Sequence, residues 1–240
     1  MKKTLFTTAL LSASIITLVA CNPQGTTAEA APAPTPAPVE TKIDTAKADA
    51  VAAQLAETAA GEYKLENTHA FLFWSLSHGG LSTYTAKFTD WDATINFDPA
   101  NPAASTVSAT INPISVQTDH PTKADEWHAE LANDFFLAQE FPAITFTSTS
   151  AKTTGPNTGI ITGDLTFLGV TKSLDLDVTY NGVGNKPWLG DLDVIGFDAV
   201  TQFKRSEFGL TKAVEYGIGD VVTINISAEF VQTAPEAAAE

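Results

Sequence analysis

The 240-residue chain is poor in cysteine and arginine, with one residue of each type, Cys21 and Arg205. A single cysteine cannot form an internal disulfide or supply a cysteine-based metal cluster. Lys and Arg together number 13 against 28 Asp and Glu, which gives a net charge of −15. Because nucleic-acid binding depends on clustered basic side chains that neutralise phosphates, we predict no nucleic-acid partner.

Short motifs that mark catalytic or metal sites are also missing from the sequence. It contains no His-Glu-x-x-His, nucleophile elbow, phosphate-binding glycine loop or zinc signature. His120 and His128 do not have the spacing of metal ligands, and His69 and His78 lie on opposite faces of one predicted strand. We therefore predict no enzyme activity, no metal and no cofactor, a bound polyisoprenoid or quinone-type lipid excepted.

The N-terminus explains the lone cysteine. Lys2 and Lys3 precede a mostly apolar run, 5–19, and the sequence Leu-Val-Ala-Cys ends at Cys21. Residues 1–20 resemble a bacterial lipoprotein signal peptide, which implies cleavage before Cys21 and a membrane anchor on the acylated cysteine. Asn22 in the next position implies an outer-membrane location facing the periplasm, within the cell envelope. The alternatives are an ordinary secretory peptide and a transmembrane helix, and the apolar run is shorter than the roughly 20 residues that a transmembrane helix needs.

Composition divides the rest of the chain into three parts. Residues 21–60 form an alanine- and proline-rich tether, in which 44–60 can form a short helix with Val51 and Leu55 one turn apart. Residues 61–231 form the globular domain, and 232–240 form an acidic tail. The helix within the tether is interpreted as either more linker or a weak docking face.

Alternating apolar residues in the globular domain predict about eight β-strands. The clearest segment, 163–180, predicts a hairpin with Gly169 at its reversal and Leu174, Leu176 and Val178 on one face. A single helix is predicted over 121–136, with a capping arrangement that starts at Thr122. Many short strands with one helix between them fit a sandwich or an up-and-down barrel, and the short connections favour the barrel.

Several short motifs resemble those of the bacterial YceI-like family in order and spacing. They are Asn67-Thr68-His69, Asp134-Phe135-Phe136, Gly163-Asp164-Leu165-Thr166, Gly169-Val170-Thr171-Lys172 and Phe208-Gly209. The resemblance implies an all-β, eight-stranded, antiparallel, lipocalin-like barrel with an elongated apolar cavity for a polyisoprenoid or similar lipid. The segment 123–129 departs from the family pattern because it lacks the arginine common there.

Ten residues are candidates for contact with such a lipid. They are Phe71, Phe73, His78, Phe88, Phe97, Phe135, Phe136, Phe146, Phe167 and Arg205. Strand phenylalanines can equally be plain core, and the first strand is predicted to have both of its faces covered. Phe135 and Phe136 either close the barrel mouth or only fasten the helix to it. Arg205 either meets a lipid head group or forms a surface ion pair with Glu207.

The function predicted from these observations is binding of a long-chain amphipathic lipid at the cell envelope, for storage, transport or sensing. A ligand that buries ten methylenes would gain roughly 8 kcal/mol, so chain length alone could provide useful affinity. One alternative is a quinone-binding accessory of a membrane redox system. Another is a surface-interaction or envelope-stress module whose barrel is filled by its own side chains.

Overall fold

The computed structural model describes residues 45–190 and 192–233. The predicted signal peptide, Cys21, the tether up to residue 44 and residues 234–240 of the predicted tail lie outside the described residues. The helices are α1 (Thr45–Glu57) and α2 (Ala124–Glu130), the latter followed by a π-helical turn, Leu131–Phe135. The strands are β1 (Gly61–His78), β2 (Ser82–Phe88), β3 (Trp91–Phe97), β4 (Thr106–Ile111), β5 (Val116–Gln117), β6 (Ile144–Thr153), β7 (Thr158–Phe167), β8 (Val170–Asn185), β9 (Asp193–Lys204) and β10 (Ile218–Gln232).

Antiparallel pairing between β1 and β10 closes the sheet into a barrel. Both β2 and β3 pair with β1, and only Thr89 and Asp90 separate them, so together they form one position in the ring. The short β5 pairs with β2, and β4 pairs with β3, so β5 and β4 together form the next position in the ring. The ring therefore has eight positions, which confirms the predicted eight-stranded antiparallel barrel.

The hairpin of β7 and β8 follows from local chemistry. Leu168 and Gly169 both have positive φ, 50° and 72°, as a two-residue hairpin turn requires. From this turn the two strands stay in register, from Phe167 opposite Val170 to Thr158 opposite Thr179. The predicted hairpin is confirmed.

The α1 helix packs against β8 at the end of the barrel where β1 begins, hereafter the α1 end. Ala48 and Val51 are buried, and Leu55, one turn after Val51, faces the barrel interior. The Thr58 and Tyr180 hydroxyls are 2.7 Å apart and link the end of the helix to β8. No helix among residues 45–190 and 192–233 combines the length and apolarity that crossing a bilayer requires.

Tyrosine side chains are deeply buried at the α1 end. The Tyr63 hydroxyl donates to the Ala59 carbonyl at 2.7 Å, and the Ala59 amide donates to Asp193 Oδ2 at 3.0 Å. Burial, reinforced by the Asp193 carboxylate, raises the pKa of Tyr63 to about 12. Burial likewise raises the pKa of Tyr180 above its ordinary value.

The segment around α2 lies at the opposite end, where β1 finishes, hereafter the α2 end. The helix is shorter than predicted, and the cap expected from Thr122 is wrong because Lys123 occupies the cap position without a side-chain cap. The His120 ring instead accepts a hydrogen bond from the Lys123 amide at 3.1 Å. A π-helical turn follows, closed by the Phe136 amide, which donates to the Leu131 carbonyl at 2.9 Å. This wider turn makes both Leu131 and Phe136 buried.

The outer surface of β1 differs from the prediction. Phe71 and Phe73 point away from the barrel, with 49% and 36% of their surface exposed, and their rings stack with centroids 6.1 Å apart. The expectation that both faces of this strand are covered is wrong. The wall of the barrel is a single sheet, so the side chains that alternate with the inward Leu72 and Trp74 meet solvent.

An apolar cavity as the candidate functional site

An apolar cavity of about 420 Å³ lies inside the barrel. It extends from Leu55 and Phe97 at the α1 end to His78 and Leu210 at the α2 end. Its volume falls within the range of small-molecule sites, roughly 300–1,000 Å³. An eight-stranded barrel is large enough for one guest when its inward side chains leave space. The cavity therefore has the size and lining of a site for one apolar molecule.

The structure places eight of the ten candidate residues on the cavity wall. These are His78, Phe88, Phe97, Phe135, Phe136, Phe146, Phe167 and Arg205. Phe71 and Phe73 lie on the outer face, so the expectation that they line the cavity is wrong. Contact between the eight lining residues and a ligand stays a prediction.

Phe136 packs across the interior at the α2 end. Its ring centroid is 6.0 Å from that of Trp74, 5.4 Å from Phe88 and 6.1 Å from Phe167, which belong to three different strands. Phe135 is only half-buried, and Lys212 Nζ lies 4.6 Å from its ring centroid. Of the two roles predicted for this pair, the contacts of Phe136 fit closure of the barrel end.

Arg205 has a structural role that the sequence did not reveal. Its side chain is 2% exposed, so the predicted surface ion pair with Glu207 is wrong. The guanidinium donates to the carbonyls of Gly219, Leu210, Lys212 and Ile218 at 2.8, 3.2, 2.7 and 3.0 Å. Burial lowers the pKa of Arg205, and the nearby Asp220 carboxylate opposes that change. Four of its five N–H groups are thus occupied by backbone, which leaves little capacity for a head group.

Two neutral donors on the cavity wall were not among the predicted site residues. Trp74 is 7% exposed, and its Nε1 has no hydrogen-bond partner within the described residues. Tyr84 lies beside it, with ring centroids 5.8 Å apart, and accepts a hydrogen bond from Trp127 Nε1 at 2.7 Å. The available signal was spacing: Leu72, Trp74 and Leu76 are two residues apart in one strand, which places the indole on the same face as the two leucines.

A second group of polar residues lies on the outer surface. At a bulge in β1, residues 66–69 face the single residue Glu229 of β10. Ligand-type atoms of Glu66, His69 and Glu229 lie within 4.8 Å of one another. Burial would raise the pKa of Glu66, but hydrogen bonds from Thr68 and His69 outweigh it and lower that pKa. Glu229 Oε1 also lies 3.4 Å from Lys186 Nζ, so one of the two carboxylates already has a cationic partner. Sequence spacing missed the group because a bulge cannot be read from strand periodicity.

Fold and cavity together define a class: small closed antiparallel barrels with an apolar internal cavity. Within that class, the chain belongs to the YceI-like domain family, whose model matches residues 63–230. The α1 helix precedes the matched region, so its contact with β8 is an addition to the part that the family model describes.

Three similar proteins illustrate the relationship. A UPF0312 protein of Pseudomonas putida (strain F1) is 39% identical over 153 residues, which cover 63% of this chain and 77% of that protein. The crystal structure of a Campylobacter jejuni YCEI protein is 31% identical and matches with a TM-score of 0.55, covering 66% of this chain and 90% of that one. A polyisoprenoid binding domain from Saccharophagus degradans matches with a TM-score of 0.54 and 14% identity, covering 73% of this chain and all of that one, and this likeness shows the fold alone.

Proposed function

We propose that this protein binds one long-chain amphipathic lipid of polyisoprenoid type inside its barrel, for storage, transport or sensing. The observation that supports this function most strongly is the apolar cavity of about 420 Å³ between the two ends of the barrel. Burying ten methylenes there would contribute roughly 8 kcal/mol, which corresponds to about micromolar affinity before entropy losses. The alternative of a surface module with a filled barrel does not fit an interior with this much space.

Charge indicates the kind of head group. The chain carries a net charge of −15, and its one arginine donates to four backbone carbonyls. An anionic head group such as a diphosphate would meet a negative field without a free guanidinium to bind it. A neutral head group is therefore the one we propose.

A matched pair of variants on β9 tests the function. Ala199 lies on the cavity wall, whereas the next residue, Val200, points outward and is 41% exposed. In A199F the new ring occupies cavity space, so we expect loss of lipid binding, whereas V200F should bind as the unaltered protein does. Native mass spectrometry of freshly purified protein detects any retained lipid, and its absorbance spectrum distinguishes a quinone from a polyprenyl chain. A bare polypeptide that also fails to retain added long-chain lipids would contradict the proposal.

We also propose that the protein is attached to the outer membrane, facing the periplasm, through acyl chains on Cys21. The support is the sequence of residues 1–21, with its basic start, apolar run and terminal Leu-Val-Ala-Cys. Several acyl chains on one residue would hold a protein at a bilayer stably. Fractionation of cells grown with a labelled fatty acid tests this: we expect label in the membrane fraction, and neither label nor membrane attachment for C21S. An unlabelled protein with an intact Cys21 would refute the anchor.

A further inference from the structure

Trp74 lies in the wall of an apolar cavity and carries a polar N–H group that is buried in that wall. The side chain is 7% exposed, and within the described residues its Nε1–H has no acceptor. A buried donor without a partner is rare in folded proteins and is unfavourable, because the group has lost its hydrogen bonds to water. This cost is removed when an acceptor enters the cavity beside the indole and the surrounding wall side chains move enough to admit it to the N–H, which has no open surface in the empty cavity.

The surroundings of Trp74 offer donors and aromatic rings. Tyr84 Oη already accepts from Trp127 Nε1 at 2.7 Å, so the tyrosine retains its own O–H as a second donor toward the cavity. The Phe136 ring packs edge-on against Trp74 with centroids 6.0 Å apart. The donors near a guest at this end are therefore the Tyr84 O–H and, once the wall yields, the Trp74 N–H, whereas the Arg205 guanidinium is engaged with backbone carbonyls.

We propose that Trp74 Nε1–H donates a hydrogen bond to a neutral carbonyl oxygen of the bound lipid. This inference rests on the proposed function and specifies its ligand: a long apolar chain that carries a carbonyl group. The carbonyl lies at the α2 end beneath Phe136, and the chain extends through the barrel toward Phe97 and Leu55. A carbonyl oxygen satisfies the indole N–H without placing a charge in an apolar interior, where an unpaired charge is strongly disfavoured.

Two probes of similar size test the proposal with the full chain after extraction of copurified lipid. Farnesylacetone is an isoprenoid chain that ends in a ketone, and phytane is a branched hydrocarbon without oxygen. W74F removes the N–H but keeps an aromatic ring, and W188F is the matched control because Trp188 lies exposed on the surface. We expect W74F to lower the preference for farnesylacetone over phytane about tenfold, because both probes feel the altered wall but only the ketone loses a hydrogen bond, and W188F to keep the preference of the unaltered protein.

A measurement on the unaltered protein keeps the test independent of how W74F folds. In a ¹H–¹⁵N spectrum the indole proton of Trp74, assigned by its loss in W74F, should move downfield with farnesylacetone and not with phytane. If both probes bind while W74F affects them equally and the indole proton does not respond to the ketone, the hydrogen bond is refuted and the lipid-binding function stands. If neither probe binds, the proposed function itself fails and this inference fails with it.

Discussion

Replacing Arg205 by alanine should destabilise the barrel far more than loss of a surface ion pair with Glu207, two residues away, would do. The substitution leaves four carbonyl groups without their donor, at Leu210, Lys212, Ile218 and Gly219. Hydrogen bonds from a charged donor contribute about 1.5–3 kcal/mol each. The cost of burying the guanidinium offsets several kcal/mol of that total. We expect R205A to lose about 3–5 kcal/mol of unfolding free energy, a typical cost of breaking a buried charged network.

Urea unfolding followed by circular dichroism measures this loss, and a thermal scan should show a decrease in Tm of about 10 °C. R205K should recover only part of the stability, because an ammonium group presents its donors from one point and cannot span four separated carbonyls. The control is E207A, since Glu207 is exposed and its removal should change stability by about 0.5 kcal/mol or less. If R205A proved as stable as E207A, the hydrogen bonds of Arg205 would not be what holds residues 205–212 to the start of β10.

Three further perturbations test other parts of the structure. The folded state raises the pKa of Tyr63 to about 12, so folded Tyr63 keeps its phenol proton at a pH near 10, where the same tyrosine in the unfolded chain loses its proton. The free energy of unfolding should therefore fall as pH rises from about 10 to 12. This fall should be smaller in Y63F, whereas Y216F, at an exposed position, should behave as the unaltered protein does. G163A should lower the free energy of unfolding in urea by about 1–3 kcal/mol, because a Cβ there collides with both the ring of Phe146 and the Thr147 carbonyl, and an unchanged free energy would show that ring and backbone both yield freely. Deleting α1 (Thr45–Glu57) should speed release of bound farnesylacetone in stopped-flow measurements while the barrel stays folded, since this helix covers one end of the cavity; an unchanged release rate would mean that the guest leaves elsewhere.

Local chemistry in the sequence indicated about eight strands and the β7–β8 hairpin, whereas the eight-stranded barrel was predicted from the short connections together with the resemblance to the YceI-like family. Strict alternation of apolar and polar residues determines which side chains share a face, and Gly169 permits the tight turn that joins the two strands. The helix was located, but its start and its π-helical end were not: the His120 ring, three residues before Lys123, takes the acceptor role expected of Thr122, and Phe136 packs against residues of distant strands.

Sequence by itself determined which residues of β1 lie together, Phe71 with Phe73 and Leu72 with Trp74, since a strand alternates with period two. Only the tertiary structure decided which pair faces the cavity, because closure of β1 against β10 selects the inward face and period two does not. The same holds for Arg205 and Trp74: whether a buried polar side chain finds partners depends on how other segments fold around it, which strand periodicity does not show. Folding supplied four carbonyls to the arginine and left the indole N–H without an acceptor among the described residues.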